Sequence, residues 1–227
     1  MNSLRPPRSF SLTAAFTLIE LLTVIAIIAI LMSLLFPVVN SVKENGRKAQ
    51  AKQDAMGIVT AVKAYNTEYG KYPPMDPAGA PPAGAIDAGV GDTTNAAMAN
   101  DNNVLFDTLR AIDRGVNTGN EKNPRRVVFF EGKAVTNPEQ PRAGFVDKGS
   151  GDKRGCFFDP WGTQYNVVVD TNYDNQVEVT QYYSDIPKDE SPRSGVVAFA
   201  LGRDGKLGAD GNKKSLDKES DDIMTWK

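Results

Sequence analysis

The side chains whose placement suggests chemistry are carboxylates. The chain has no histidine, which removes Ser-His-Asp and Cys-His catalysis and the usual zinc sites together. Its single cysteine, Cys156, cannot form an intramolecular disulfide and reads as a small apolar side chain bound for the interior. The informative acids fall in two places. Glu20 stands at the entrance to a run with no charged residue from Leu21 to Val42. Asp204, Asp210, Asp221 and Asp222 lie far downstream, in or beside glycine-rich turns. A pair of carboxylates can do acid–base work, but these aspartates crowd turns with no obvious partner acid. The chain is therefore expected not to be an enzyme.

The setting of Glu20 fixes what it can do. The apolar run is long enough to cross the roughly 30 Å hydrocarbon core of a bilayer as a helix, which takes about 20 apolar residues. An unpaired charge drawn into that core costs about 2–3 kcal/mol or more. Glu20 either snorkels to water at the interface or finds a cationic partner. Residues 1–15 are short, basic (Arg5, Arg8) and without helical pattern, and read as a leader. An ordinary secretory signal would be cut after the apolar run. Phe36-Pro37-Val38-Val39-Asn40 offers no good small-x-small site there, so the run is expected to stay in the mature protein.

The segment FTLIELLTVIAIIAIL, Phe16 to Leu31, resembles the N-terminal signature of type IV pilins and of the pseudopilins of type II secretion. The resemblance implies cleavage by prepilin peptidase between Ala15 and Phe16, followed by N-methylation of Phe16. It implies that Glu20 pairs with the N-terminal amine of a neighbouring subunit during assembly. Pro37 falls where many pilins carry a helix-kinking proline. Ala15 departs from the glycine normally found before the cut, though a small side chain is kept.

Beyond Pro37 the sequence turns polar, then regains helical period. Ala55, Ile58, Val62, Tyr65 and Tyr69 step by three or four residues onto one face, with Lys52, Lys63 and Glu68 off that stripe. The pattern predicts one N-terminal helix from Phe16 to about Tyr69, on the order of 80 Å long. Pro37 and Gly46 are its weak points, and Gly70 with Pro73-Pro74 stops it. Residues 75–100 read as surface loop. Asn103 to Ile112 carries a short amphipathic helical pattern, capped by Asp101 or Asn102. Val127 to Phe130 is a strand or an extended apolar segment, and Arg125-Arg126 its solvated flank. With 26 basic and 28 acidic side chains the net charge is −2. A mildly acidic chain without a long basic block is a poor nucleic-acid binder.

Phe158-Asp159-Pro160-Trp161-Gly162 combines turn chemistry with an aromatic able to cap a small core. Gln164 to Val169 reads as a strand, Asn172 to Asn175 as a turn, and Val177 to Val179 as the start of a return. Gly195 to Leu201 is the clearest buried strand. The EYGKYPP and DPWG elements resemble the major pseudopilin of type II secretion, and so does the acidic end of the chain. There Leu201-Gly202-Arg203-Asp204-Gly205 and Asp221-Asp222-Ile223-Met224-Thr225-Trp226 match segments that hold one calcium ion in that family. Calcium takes six to eight oxygens, mixing carboxylates and backbone carbonyls. The resemblance implies Asp204 and Asp222 as side-chain ligands and Leu201 as a carbonyl ligand, with Asp221 and Asp210 in reserve. The spacing does not fit an EF-hand, since Lys206 and Gly208 stand where Asp or Asn is wanted. The stretch from Asn212 to Ser220, with three lysines, is longer and more basic than the family pattern.

These readings give an α+β fold: a long N-terminal α-helix, membrane-spanning in its first half, packed on a small C-terminal antiparallel β-sheet, with a long insertion between them. The expected organisation is a leader at 1–15, an apolar helix at 16–39, its amphipathic continuation at 40–70, a loop-rich insertion at 71–155 with a short helix near 103–112, and the sheet with acidic loops at 156–227. The implied function is a structural subunit that polymerises through its N-terminal helix into a periplasmic pseudopilus for type II secretion. Its implied partners are copies of itself, other pseudopilins, prepilin peptidase, the inner-membrane assembly platform and membrane lipid. The alternatives are a type IV pilus pilin for adhesion, motility or DNA uptake, and a membrane-anchored binding module.

Overall fold

In the computed structural model, residues 17–78, 87–94, 96, 98–148, 151, 153–208 and 220–226 are described, the side chain of Pro37 excepted. The fold is α+β, a long N-terminal helix followed by a small antiparallel sheet. The chain divides into two compact units, Met1–Asn45 and Gly46–Lys227. The first helix, α1, runs from Leu18 to Tyr69 and contributes to both. It passes through Pro37 and Gly46 without ending. Its termination follows the sequence: Gly70 takes a left-handed φ of 68° and donates its N–H to the Asn66 carbonyl at 2.8 Å.

In the second unit α1 supplies one wall of the core. Ala55, Ile58, Val62 and Tyr65 are fully buried and Tyr69 packs against them, as the three-and-four spacing predicts. They meet a four-stranded antiparallel sheet of β1 (Ala88–Val90), β4 (Asn166–Val169), β5 (Val196–Ala200) and β6 (Ile223–Met224), in the spatial order β1-β4-β5-β6. A separate two-stranded ribbon pairs β2 (Gly144–Phe145) with β3 (Phe157–Phe158). Because side chains alternate along a strand, the sheet has two different faces. Val167, Val169, Val196, Ala198 and Ala200 join the core shared with α1. Val168, Val197, Phe199 and Leu201 face a second core, closed by Val177, Val179, Tyr182, Tyr183 and Trp226. Burial on both faces explains why β5 reads as a continuous apolar run rather than an alternating one.

Two local expectations differ from the structure, and a third is narrowed to one of its two alternatives. Residues 75–100 are not simply surface loop: Ala88, Gly89 and Val90 pair with Val169, Val168 and Val167, and Met75, Val90, Ala96 and Met98 are buried. Three small residues give no period to read, and only the distant partner defines the strand. Val177 to Val179 forms no strand, since both edges of β4 are taken, by β1 and β5. The two valines are buried in irregular chain instead. Val127 to Phe130 is extended but unpaired as a strand, with the Phe129 and Phe130 N–H groups both donating to the Leu109 carbonyl at 2.8 and 3.3 Å.

The short helix α2 (Asn103–Leu109) stops earlier than its pattern, at a left-handed Ala111 with φ 54°. Asn102 is its N-cap residue but makes no side-chain cap bond. Its fully buried amide instead donates to the Phe157 and Tyr165 carbonyls at 2.9 and 3.0 Å and accepts the Phe157 N–H at 3.0 Å. That one side chain ties α2 to β3 and to the approach to β4.

Candidate assembly helix and acidic loop

The first half of α1 is apolar and exposed. Every large hydrophobic residue from Leu18 to Val42 is open to solvent in the isolated chain. The helix is long and apolar enough to cross a membrane. Glu20 lies exposed in its first turn. Its carboxylate accepts the Thr17 N–H at 2.9 Å and the Thr17 hydroxyl at 2.7 Å, while its own N–H donates to the Thr17 hydroxyl at 3.2 Å. This reciprocal arrangement is a capping box, which satisfies N-terminal backbone donors that have no partner within the helix. Thr17-x-x-Glu20 was readable as such in the sequence. Ala15 and Phe16 lie outside the described residues, so the junction between them has no geometry here. The bend expected at Pro37 coincides with no break in the helix.

The DPWG element is organised by its aspartate. The fully buried Asp159 carboxylate accepts N–H bonds from Trp161, Gly162 and Thr163 at 2.7–3.0 Å and the Thr163 hydroxyl at 2.6 Å. Gly162, at φ 107°, lets the loop close around it. Trp161, expected to cap a core, stays half-buried outside the core clusters. The tryptophan that does cap one is Trp226, whose ring lies edge-on to Tyr183 and Phe199 at 6.0 and 5.9 Å. Cys156 is buried with Val146 and Phe158, and burial pushes its thiol up to about 12.

The structure brings the Asp204 and Asp221 side chains together, from the loop after β5 and the approach to β6, while the Asp222 carboxylate, next in the chain, meets Tyr183 and Gly208. Leu201, buried, directly follows β5, and Gly202 comes next at φ 67°. Asp221 lies so close to Gly202 that a Cβ there would collide with it. The Asp221 carboxylate accepts the Arg203 N–H at 2.5 Å and the Asp204 N–H at 3.3 Å, and shares a side-chain hydrogen bond with Asp204. Asp204 is pushed above the ordinary carboxylate range, by burial first and by the Asp221 charge beside it. Asp222 is pushed up to about 6, chiefly by burial. Its Oδ2 accepts the Gly208 N–H at 2.8 Å and the Tyr183 hydroxyl at 3.0 Å, while its buried Oδ1 has no partner among the described residues. Asp210 and residues 212–219 lie outside the described residues.

Among the described residues no group of three or more His, Cys, Asp or Glu side chains is placed to hold a metal ion. The donor chemistry nevertheless suits a hard cation supplied with two carboxylates and backbone oxygens. A hydrogen bond between two carboxyl groups needs a proton that a cation would replace, and a buried carboxylate oxygen without a donor is costly until something positive meets it. Tyr183 had escaped the sequence reading. The Tyr182-Tyr183 pair, in a segment with no period of its own, was the available signal.

Comparison of the chain with protein-family models, with curated proteins and with solved structures returned no match.

Proposed function

We propose that this chain is a structural, pilin-like subunit that assembles through its N-terminal helix into a periplasmic pseudopilus of the type II secretion kind. The observation that supports it best is α1, one unbroken helix of 52 residues. It is exposed and apolar over its first part, and buried along a single stripe where it belongs to the globular unit. In this reading prepilin peptidase cuts after Ala15, Phe16 becomes the methylated N-terminus, and Glu20 exchanges its Thr17 bonds for the amine of a neighbour. The apolar helix anchors the subunit in the inner membrane before assembly, with the globular unit in the periplasm, and later lines the filament. Other pseudopilins, the assembly platform and membrane lipid are the remaining partners. The work is binding and polymerisation.

Calcium belongs to the same reading. Asp204, Asp222 and the Leu201 carbonyl would hold the ion, with Asp221 beside them, and the ion would supply the positive charge that pins the two acidic segments together. At free calcium a hundredfold above its dissociation constant, the folded chain gains about 2.7 kcal/mol. Thermal melts of the detergent-solubilised full chain should therefore fall by several degrees when calcium is chelated. An unchanged melt argues against the ion.

Intact mass and N-terminal sequencing of the protein from its native membrane fraction test the filament reading. A chain that begins with N-methylated Phe16 is the expected result. A chain that begins at Met1 overturns processing through the pilin route, and the membrane-anchored binding module then becomes the reading to pursue.

A further inference from the structure

The two oxygens of Asp222 are treated unequally. Oδ2 takes two donors, the Tyr183 hydroxyl and the Gly208 N–H, and Oδ1 takes none although it is buried. Tyr183 itself is held from several sides. It is fully buried, its N–H donates to the Val179 carbonyl at 2.8 Å, and its ring packs edge-on against Phe199 at 5.6 Å and Trp226 at 6.0 Å. Phe199 is paired with Met224 in the sheet, two residues past Asp222. The phenol is thus fixed to the frame of the second core, and the carboxylate is fixed to the phenol.

We propose that Tyr183 is the positioning residue of the calcium site: it pins Asp222 Oδ2 so that Oδ1 alone is presented to the cation. The inference rests on the calcium reading of the preceding subsection and adds a residue to it. A ligating carboxylate with both oxygens free swings between one-oxygen and two-oxygen binding. Holding one oxygen removes that freedom before the ion arrives, and outer partners of this kind typically carry about 10–100-fold in metal affinity. Ring packing alone would make Tyr183 a core residue with no influence on affinity, and the two roles separate on substitution. Tyr183→Phe keeps the ring that Phe199 and Trp226 contact and deletes only the hydroxyl.

The experiment is calorimetric titration of calcium chloride into the full chain in detergent, for the wild type, Tyr183→Phe, Asp222→Asn and the double variant. The expected result is affinity about 10–100-fold weaker in Tyr183→Phe, a chelator-state melting temperature close to wild type, and no further loss when Tyr183→Phe is added to Asp222→Asn. Wild type that binds no calcium overturns the calcium reading and this inference with it. Wild type that binds, with Tyr183→Phe of equal affinity or an undiminished effect in the Asp222→Asn background, overturns the inference alone. The unaltered chain offers a second measurement. The calcium-minus-chelator infrared difference spectrum should show one-oxygen carboxylate coordination in the bands lost in Asp222→Asn, and a two-oxygen signature there refutes the role of Tyr183.

Discussion

Asn102→Ala should be among the most damaging single substitutions outside the hydrophobic core. The native amide is fully buried and makes three hydrogen bonds to backbone groups of Phe157 and Tyr165. The Phe157 carbonyl keeps a second donor after truncation, the Tyr165 N–H at 3.2 Å. The Phe157 N–H and the Tyr165 carbonyl lose the partner that Asn102 provides. Each buried group left so costs about 1–3 kcal/mol, giving roughly 2–6 kcal/mol in all. For a chain of this size that corresponds to a fall of about 4–24 °C in melting temperature. The assay is near-UV circular dichroism on heating the full chain at constant detergent. Asn103→Ala is the control: its amide makes a single 3.3 Å contact to the Arg154 carbonyl nearer the surface, and its loss should cost less than about 1 kcal/mol. If Asn102→Ala melts within about 3 °C of wild type, water has replaced the amide, and the view that it ties α2 to β3 is wrong.

Two further outcomes are expected. Glu20→Gln should leave the globular unit's circular dichroism unchanged, because the contacts of Glu20 lie within the first turn of α1. It should nevertheless abolish sedimentable filaments, and normal filament yield in the variant refutes the assembly role. Stability in chelator should rise as pH falls from 8 towards 5. Asp54, Asp107, Asp204 and Asp222 are all pushed upward mainly by burial, Asp222 to about 6. A carboxyl raised on folding gives the folded state extra protons, so the stability present below its unfolded pKa is lost as pH rises through the folded value. Melts at pH 5.5 and pH 8 check the sign, and a more stable chain at pH 8 contradicts it.

What the sequence revealed and what it hid divide along a physical line. The stripe from Ala55 to Tyr65 was visible because a helix writes its burial into local spacing. β5 was visible because a strand buried on both faces is apolar throughout. The closing of Gly70 and the turn around Asp159 were visible as backbone chemistry. The strand at Ala88 to Val90 was not, since its identity comes from the distant partners Val167 to Val169. The same holds for Asn102, which by local rules is a cap and by tertiary contact is a clamp. At the acidic loop the carboxylates were legible and their supports were not. Tyr183 reaches Asp222 across 39 positions of chain, and nothing in either neighbourhood records the meeting.

The sheet's arrangement also sets a timetable. β6 completes the sheet against β5, the Thr225 N–H donates to the Ala198 carbonyl, and Lys52 of α1 donates to the Met224 carbonyl across 172 positions. A ribosome adding about 5–20 residues per second needs roughly 10–30 seconds to cover that distance. Throughout that interval Ile58, Val62 and Tyr65 have been synthesised without the full surface they will bury against. A chain that ends before residue 223 keeps the whole of α1 and lacks an edge of its sheet.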